Sequence, residues 1–340
     1  MFKKKIFYSK SSKILSEIKL TNKKQNINEL NKRKKFITLY NKGQKNYNCI
    51  ICGSKLSKNK DFEFHKINYF FCTKCHHLNG SRKLNNKNLY QIYKSNIKKS
   101  SIYYNNYSKK YNKRVKEIYK PKLVFLKKII KKPNILDFGC GAGHFISACD
   151  KENVNCIGAE VDKNLIELAP LKVKKKILFR KTDSEIIEKI NQNKINCISL
   201  IHVIEHLEDP YSVINLFKDS KAKFLLVAVP LFGYGVIIDL LFKHLNPRTI
   251  GGGHFHLFTK KSLNYFLKKT KLKIKGEWWF GGDAHDLYRN TILNLINKKN
   301  TKNKVFLNYI DNILLKPLDN YQNQIDKSKS TSDIHLVISK

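Results

Sequence analysis

The segment ILDFGCGAGHF, at residues 135–145, constrains the fold more than any other part of the chain. An apolar run ends beside an acidic residue, Asp137, and three glycines follow at alternate positions. Glycine lets the backbone turn sharply and approach a bound molecule closely. In α/β proteins such a turn between a strand and a helix lies at the carboxyl edge of the sheet, where ligands bind. The segment therefore predicts a β–turn–α unit with a ligand site.

Short apolar runs alternate with amphipathic segments from this point onward. The amphipathic segments include DKNLIELA and KKSLNYFLKKT, which have helical periodicity. Strands that alternate with helices predict an α/β domain with a mostly parallel sheet, here of seven strands. The seven apolar runs are NILDF, NCIGAEV, KILFRKT, NCISLIHV, KFLLVAV, LKIKGEWWF and DIHLVIS.

The net charge of +41, from 67 Lys+Arg against 26 Asp+Glu, raises the question of a polyanionic partner. The excess is almost entirely lysine, is spread along the whole chain, and occurs with abundant Asn and Ile, as in proteins from AT-rich genomes. This pattern favours compositional bias over a nucleic-acid partner. No apolar run reaches the ~18 residues of a membrane span. The N-terminus lacks an apolar signal core, so we expect a cytoplasmic protein.

The eight cysteines fall into two groups. One group consists of single cysteines inside apolar segments, where cysteine behaves as a small buried hydrophobe, as expected in a reducing compartment. The other group consists of two CxxC pairs with 19 residues between them, a spacing typical of zinc ribbons. Four thiolates complete a closed tetrahedral site, so we expect a structural Zn²⁺. Its predicted ligands are Cys49, Cys52, Cys72 and Cys75.

Composition and pattern divide the chain into four predicted parts. Residues 1–45 form a basic arm or helix, residues 46–82 a zinc-ribbon-like module, residues 83–132 a helical connector, and residues 133–340 the α/β domain. A lid insertion is predicted at about 231–256, because this connection is longer than usual. The run Gly251-Gly252-Gly253 is a candidate hinge for the lid.

Three segments identify a family resemblance: LDFGCGAGHF, GAEVDKNLIELA and ISLIHVIEHLEDP. Together they closely resemble class I S-adenosylmethionine (SAM)-dependent methyltransferases, over roughly residues 115–340. Spacing alone would also allow a dinucleotide-binding dehydrogenase, but the turn reads GCGAG rather than GxGxxG. The resemblance implies a Rossmann-like sheet, and the CxxC module resembles the N-terminal zinc-binding module of some sugar and small-molecule methyltransferases.

The resemblance also implies which residues bind SAM. The glycines match the loop under the methionine part, Asp137 the acid that orients this loop, and Glu160 the ribose-binding acid, with Asp162 as the weaker candidate. Asp183 resembles the acid near the adenine amine, and two residues after the fourth strand match positions that line the cofactor. The predicted cofactor-binding set is Asp137, Gly139, Gly141, Gly143, Glu160, Asp183, Ile201 and His202.

Catalytic and substrate residues are predicted from residue type and position. Histidine is the commonest general base, which makes His202 and His206 the candidates for proton abstraction. Aromatic faces beside carboxylates suit sugars, and an arginine suits a phosphate or carboxylate. A two-histidine metal site at His254 and His256 lacks a third ligand in register. The predicted substrate residues are His254, His256, Trp279, Asp283, His285 and Arg289.

These features predict a methyltransferase that acts on a small-molecule acceptor, with a saccharide or nucleotide-linked sugar as the leading class. One alternative is an RNA-binding zinc-ribbon protein that modifies RNA or carries a relic of the fold. The other is a quinone-type O-methyltransferase. Such enzymes have a segment similar to HVIEHLEDP but generally lack the zinc module. The sequence leaves the acceptor atom and the oligomeric state open.

Overall fold

The computed structural model describes residues 4–11, 23–83, 109–251, 254, 256–297 and 304–340. Much of the predicted connector, residues 84–108, lies outside the described residues, as do Gly252 and Gly253 of the candidate hinge. The division into four parts stays a prediction. Within the described ranges no helix combines the length and the apolarity needed to cross a membrane.

The strands of the described residues build one large and two small sheets. In chain order the strands are β1 (Lys5–Tyr8), β2 (Gln44–Lys45), β3 (Phe62–Phe64), β4 (Ile67–Phe71), β5 (Leu78–Gly80), β6 (Arg82–Lys83), β7 (Ile135–Phe138), β8 (Cys156–Glu160), β9 (Ile177–Phe179), β10 (Cys197–Ile201), β11 (Phe224–Pro230), β12 (His256–Leu257), β13 (Lys273–Trp279) and β14 (Asp333–Ser339).

Helices occupy both sides of the large sheet and the segments between the sheets. A π-helical turn, Val115–Tyr119, separates the second helix from the third, and a 3₁₀ turn, Ile204–His206, follows β10. The helices are α1 (Lys23–Asn41), α2 (Lys109–Arg114), α3 (Lys120–Lys127), α4 (His144–Lys151), α5 (Lys163–Glu167), α6 (Leu171–Lys174), α7 (Asp183–Gln192), α8 (Ser212–Asp219), α9 (Tyr234–Leu241), α10 (Lys260–Thr270), α11 (Asp283–Asn297), α12 (Lys304–Leu315) and α13 (Leu318–Lys327).

The large sheet has the order β1-β13-β14-β11-β10-β7-β8-β9 among the described residues. Only β14 runs antiparallel to its neighbours in this sheet, and every other adjacent pair is parallel. Successive residues of β7 and β10 enter different cores: Ile135 and Cys197 pack on one face, Leu136 and Ile198 on the other. Strands buried on both faces give continuous apolar runs. The predicted α/β class with a mostly parallel sheet is confirmed.

The sheet contains one strand more than the seven predicted, namely β1. Residues 5–8 read KIFY and pair in parallel with β13, from Lys5 opposite Gly276 to Tyr8 opposite Trp279. Phe7 packs edge-on against Phe125 of α3, with ring centroids 5.7 Å apart. A short strand with lysine at its start carries little local signal. Its strand conformation depends on β13, far away in the sequence, which is why sequence patterns predicted only a basic arm or helix for residues 1–45.

The cysteine-containing segment and the region after β11 share one antiparallel sheet, in the order β12-β5-β4-β3. His256 of β12 lies opposite Asn79 of β5, and Leu257 lies opposite Leu78. A buried hydrogen bond of 2.9 Å joins His77 Nε2 to His256 Nδ1 beside this pairing. Two segments about 180 residues apart in sequence are thereby joined through backbone and side-chain contacts.

The segment predicted as a lid, about 231–256, is held by several contacts in this structure. The buried Asp239 carboxylate accepts hydrogen bonds from the backbone N–H groups of Arg248, Thr249 and Ile250, at 2.9, 2.7 and 3.1 Å. Gly251 donates its N–H to the Tyr69 hydroxyl at 2.9 Å. These bonds fix the second half of the segment against the strand β4.

Asp283 connects several elements through one buried carboxylate. It accepts hydrogen bonds from the backbone N–H of Gly235, at 2.9 Å, and from Thr331 Oγ1, at 2.8 Å. Ser332 N–H and Gln322 Nε2 also donate to it, at 3.2 and 3.3 Å. The side chain, 0% exposed, thus joins the start of α11 to α9, α13 and the segment before β14.

We expect Asp283→Ala to lower the free energy of unfolding by about 3–5 kcal/mol, because it leaves several buried donors without an acceptor. Chemical denaturation monitored by circular dichroism measures this change. The control is Asp219→Ala, at the exposed end of α8, where we expect a change within about 0.5 kcal/mol. Equal effects of the two substitutions would contradict this role of Asp283.

Candidate active site and cysteine cluster

The glycine turn lies between β7 and α4 and has an open side. Its glycines all have positive φ, at +70° for Gly139, +55° for Gly141 and +69° for Gly143. A Cβ at the first would lie 2.8 Å from Val203, and a Cβ at the third 2.3 Å from Val173. At Gly141 the nearest atom, a leucine methyl carbon, is 3.9 Å away. Packing therefore requires glycine at both ends of the turn, whereas its middle faces space that a ligand can fill.

Glu160, at the end of β8, is bonded directly to this turn. Its Oε2 accepts the backbone N–H of Gly141 at 2.7 Å, and its Oε1 accepts those of Val161 and Asp162, at 2.7 and 3.0 Å. Burial raises the pKa of Glu160. Asp162 instead caps α5 by accepting the N–H of Asn164 at 2.9 Å. The predicted ribose-binding acid and the glycine turn thus form one unit, whereas the weaker candidate, Asp162, caps a helix with one oxygen and has no hydrogen-bond partner at the other among the described residues.

Two further predicted cofactor residues lie at the same edge of the sheet. Asp137 of β7 is buried and accepts a hydrogen bond of 2.7 Å from Ser199 Oγ of β10, opposite it in the sheet. Burial raises the pKa of Asp137 to about 7. Asp183 is exposed in the first turn of α7, directly after the capping residue Thr182. These positions, with Ile201 at the end of β10, stay predictions for cofactor binding.

His202 follows β10 in a left-handed conformation, with φ of +56°. Its backbone N–H donates to the Ala228 carbonyl at 2.9 Å. Its Nδ1 lies 3.2 Å from Glu205 Oε1, and its Nε2 lies 3.4 Å from Asp333 Oδ2. Burial raises the pKa of Glu205 to about 7. Non-glycine residues with positive φ cluster at functional sites, and here the conformation places an imidazole between two carboxyl groups.

A cavity of about 310 Å³ opens beside His202, on the side of β10 away from the glycine turn. It lies where the carboxyl ends of β10, β11 and β13 meet the start of β14. Apolar and aromatic walls come from Ile201, Pro230, Trp278 and Phe280. Its size and mixed lining are those of a small-molecule site.

Positive charge predominates among the charged residues of the cavity wall. Burial lowers the pKa of Lys10 and of Lys122 to about 8, so that both lysines are mostly protonated at neutral pH. The Nζ of Lys122 lies against His335 Nε2, another lining residue. The four lining cations are Lys10, Arg114, Lys122 and Arg248, and the two lining carboxylates are Asp286 and Asp333.

One of the six predicted substrate residues, His254, lines this cavity. His256 pairs with His77, Trp279 donates its indole N–H to Glu277, and Arg289 donates to the Asn246 carbonyl at 3.0 Å. In the WWF run it is the neighbouring Trp278 that faces the cavity. The predicted residues that are not among its described lining residues are His256, Trp279, Asp283, His285 and Arg289.

Sequence reasoning missed the cationic residues of the cavity because they come from distant segments. Lys10 follows β1, whereas Arg114 and Lys122 belong to α2 and α3, within the predicted connector. In a chain with 67 lysines and arginines, no local motif separates these three from the rest. The proximity of Arg248 to the cavity depends on the fold of the segment after α9.

The four predicted metal ligands come together in one cluster. Cys49 and Cys75 have their Sγ atoms 3.5 Å apart, Cys52 and Cys72 have theirs 3.3 Å apart, and all four lie within 4.8 Å of one another. Zn–S bonds of about 2.3 Å give tetrahedral S···S separations near ~3.8 Å. In each CxxC turn the residue after the second cysteine donates its backbone N–H to the carbonyl of the first cysteine, at 2.8 Å in the first turn and 2.7 Å in the second. The cluster fits one tetrahedral metal ion.

Comparison with known proteins agrees with this architecture. Residues 111–275 match the family model of a methyltransferase domain. The match begins within α2, whose Tyr111 hydroxyl bonds to the Ala142 carbonyl, within the glycine turn, and to Ser147 of α4. The predicted resemblance is thereby confirmed: this part of the chain is a methyltransferase domain, and the protein is a methyltransferase enzyme. No relative among proteins with curated descriptions matches the sequence.

Several solved structures show partial similarity. A SAM-dependent methyltransferase from Archaeoglobus fulgidus is 17% identical, with 66% of this chain and 94% of that chain covered and a TM-score of 0.37. The methyltransferase domain of bacterial CtHen1 is 15% identical, with coverages of 66% and 100% and a TM-score of 0.42. The plantazolicin methyltransferase BamL, in complex with a triazolic desmethylPZN analog and SAH, is 12% identical, with coverages of 68% and 88% and a TM-score of 0.41. Scores this low carry no argument about substrate or mechanism.

We expect Gly141→Ala to weaken SAM binding about tenfold or more while lowering stability by only about 1 kcal/mol, because its methyl group enters open space at a positive φ. Isothermal titration calorimetry with SAM and a thermal melt measure the two effects. Gly143→Ala is the contrast: its Cβ would lie 2.3 Å from Val173, so we expect mainly a loss of stability. Unchanged SAM affinity of Gly141→Ala would contradict the assignment of this turn.

Proposed function

We propose that the protein transfers a methyl group from SAM to a small-molecule acceptor that carries an anionic group, with a nucleotide-linked sugar as the leading class. The observation that carries this proposal is the cavity of about 310 Å³ with four cationic side chains in its wall. A diphosphate suits such a wall, since arginine and lysine bind phosphate oxygens through charge-assisted hydrogen bonds. The aromatic rings of Trp278 and Phe280 offer flat faces for a sugar or base.

The donor side of the site is built by the glycine turn and Glu160. When bound, SAM supplies a methyl group that is already activated on a sulfonium. The open face of Gly141 leaves room for the methionine part, and the Glu160 carboxylate fits the ribose hydroxyls as hydrogen-bond acceptor. Asp137 fixes the turn through β10. The chain therefore contributes mainly binding and orientation, which supply much of the rate of such a displacement.

On the acceptor side, His202 is the better placed of the two predicted bases. It lines the cavity and lies between Glu205 and Asp333, which orient its ring and stabilise its protonated form. His206 is not among the described residues of the cavity wall. We therefore assign proton abstraction from the acceptor to His202.

The charge of the wall also bears on the alternatives. An apolar quinone would place apolar surface against the buried ammonium of Lys122 and the other lining cations, which costs free energy because it removes their solvation. An RNA-binding role calls for a basic stripe on the surface. Here, the four cations converge on one small cavity instead, which favours a compact anionic ligand.

We propose Zn²⁺ as the ion of the cysteine cluster, with a structural role. The four thiolates fill a tetrahedral shell, and the segment between them contributes the strands β3 and β4. The cluster packs into the main core, where the Tyr211 hydroxyl of the α/β domain donates to the Ile51 carbonyl at 2.6 Å. The ion would thus stabilise the contact between the two regions.

A filled four-cysteine site holds about one zinc ion per chain. We expect Cys72→Ser to reduce the zinc content well below this value and to lower the melting temperature. Elemental analysis of the dialysed protein and a thermal melt measure these quantities. Cys149→Ala, in α4, is the control that removes a buried thiol elsewhere and should keep the zinc. Wild-type protein that is folded and free of zinc would refute the proposed ion.

UDP-glucose binding tests the acceptor class. We expect Arg248→Gln to weaken UDP-glucose binding about tenfold, because one hydrogen bond to a charged group is lost. The control Lys243→Gln changes an exposed lysine and should leave the affinity unchanged. We also expect affinity to fall as the pH rises through 8, because Lys10 and Lys122, whose pKa values are about 8, then lose their positive charge.

Calorimetric titrations at pH 7 and pH 9 in the presence of SAH measure both effects, with uridine as the uncharged reference ligand. Equal affinities for uridine and UDP-glucose, or an affinity that does not depend on Arg248, would contradict an anionic acceptor.

A further inference from the structure

A second group of metal-ligating side chains lies at the edge of the active-site cavity. Glu205 and His206 belong to the 3₁₀ turn after β10, and His254 lies just before β12. One ligand atom from each lies within 4.8 Å of the other two. With metal–ligand bonds of about 2.0–2.2 Å, ligand atoms of one ion lie at most ~4.4 Å apart. Closing the site therefore requires only a small movement of these side chains.

Glu205 presents a buried carboxylate oxygen that needs a positive partner. The side chain is 0% exposed. Its Oε1 is 3.2 Å from His202 Nδ1, whereas its Oε2 has no hydrogen-bond partner among the described residues. Burying such an oxygen unpaired costs free energy, which a bound cation would offset. The nearby buried Lys122 directs its Nζ to His335, so it does not provide that bond.

His254 is oriented as metal-ligating histidines are. Its Nδ1 lies 2.7 Å from the backbone carbonyl of Thr249, to which it donates its proton. This bond fixes the tautomer in which Nε2 carries the lone pair, and metal ligands commonly have such a second-shell partner. Thr249 is itself fixed by Asp239, which accepts its backbone N–H at 2.7 Å. The His206 ring centroid lies 5.2 Å from that of His254.

We infer that Glu205, His206 and His254 bind one divalent transition-metal ion beside the acceptor. Two imidazoles and one carboxylate suit Mn²⁺, Fe²⁺, Co²⁺ or Zn²⁺, and three protein ligands leave open positions on the ion. His254 also lines the cavity, so an acceptor hydroxyl can reach such a position. This inference rests on the proposed function and narrows it to the methylation of an acceptor oxygen.

The ion would act as a Lewis acid on that oxygen. A bound hydroxyl loses its proton more easily, as metal-bound water does. The proton passes to His202, the acceptor oxygen forms a bond to the methyl carbon, and the carbon–sulfur bond of SAM breaks. The electron pair of that bond stays on sulfur, which becomes the neutral thioether of SAH. No oxidant or reductant is needed.

Manganese binding tests the site separately from the cysteine cluster, because Mn²⁺ prefers oxygen and nitrogen ligands to thiolates. The full-length protein is incubated with Mn²⁺ and dialysed, and total metal per chain is measured by elemental analysis. Electron paramagnetic resonance follows the loss of the free Mn²⁺ signal in a parallel titration. We expect about two metal ions per chain in the wild type, one of them in the cysteine cluster.

The variants Glu205→Gln and His254→Ala should retain only the cysteine-bound ion and bind Mn²⁺ at least tenfold more weakly. His244→Ala, which removes an exposed histidine from the same segment, is the matched control and should behave as wild type. Circular dichroism and the SAM titration identify any variant that fails to fold.

One ion per chain in folded wild-type protein, or two ions in both variants, would overturn the inference. Neither result depends on finding the acceptor. If instead SAM fails to bind while the second ion is present, the proposed function fails and the metal site stands.

Discussion

The pairing of β12 with β5 is the contact on which one wall of the cavity depends. It consists of only two residue pairs, but the buried His77 supports it by contacting His256 and Ser262, at 2.9 and 3.1 Å. Burial lowers the pKa of His77 well below its ordinary value, so the imidazole is neutral and can share one proton with its neighbour. Because β5 directly follows the second CxxC turn, the cysteine cluster fixes the strand that holds β12.

From this contact the position of the cavity wall follows. The stretch that leads into β12 contains His254, and the Asp239 carboxylate holds the preceding loop by three backbone bonds. The cysteine-containing segment and the α/β domain thus both determine the position of one wall. Contiguous rigid contacts of this kind can couple a distant cluster to the cavity. In this protein the contacts lead from the four cysteines to β5, from β5 to β12, and from β12 to the loop that precedes it.

The local geometry of the glycine turn and Glu160 was predictable from sequence, and most of the cavity lining was not. The glycines with positive φ and the acid at the end of the next strand lie close together in the sequence. Their spacing therefore forms a recognisable sequence motif. The four single cysteines expected to be buried are buried. The cavity, by contrast, is formed by side chains from the segment after β1 and from α2, α3 and β13, which only the tertiary fold brings together. Trp278 and Trp279 illustrate the limit of sequence-based prediction, since the pleat of β13 decides which of the two indoles faces the cavity.

The place of β14 in the sheet has a consequence for the order in which the molecule can be assembled. This strand lies between β11 and β13 although it comes last of all the strands along the chain, and β1 pairs with β13 on the far side. Hence β13 and β1, which pair with each other, are joined to the rest of the sheet only through β14. The complete sheet can therefore form only after β14 has been synthesised. Such long-range pairing slows folding, and Lys10 reaches the cavity only when the process is complete.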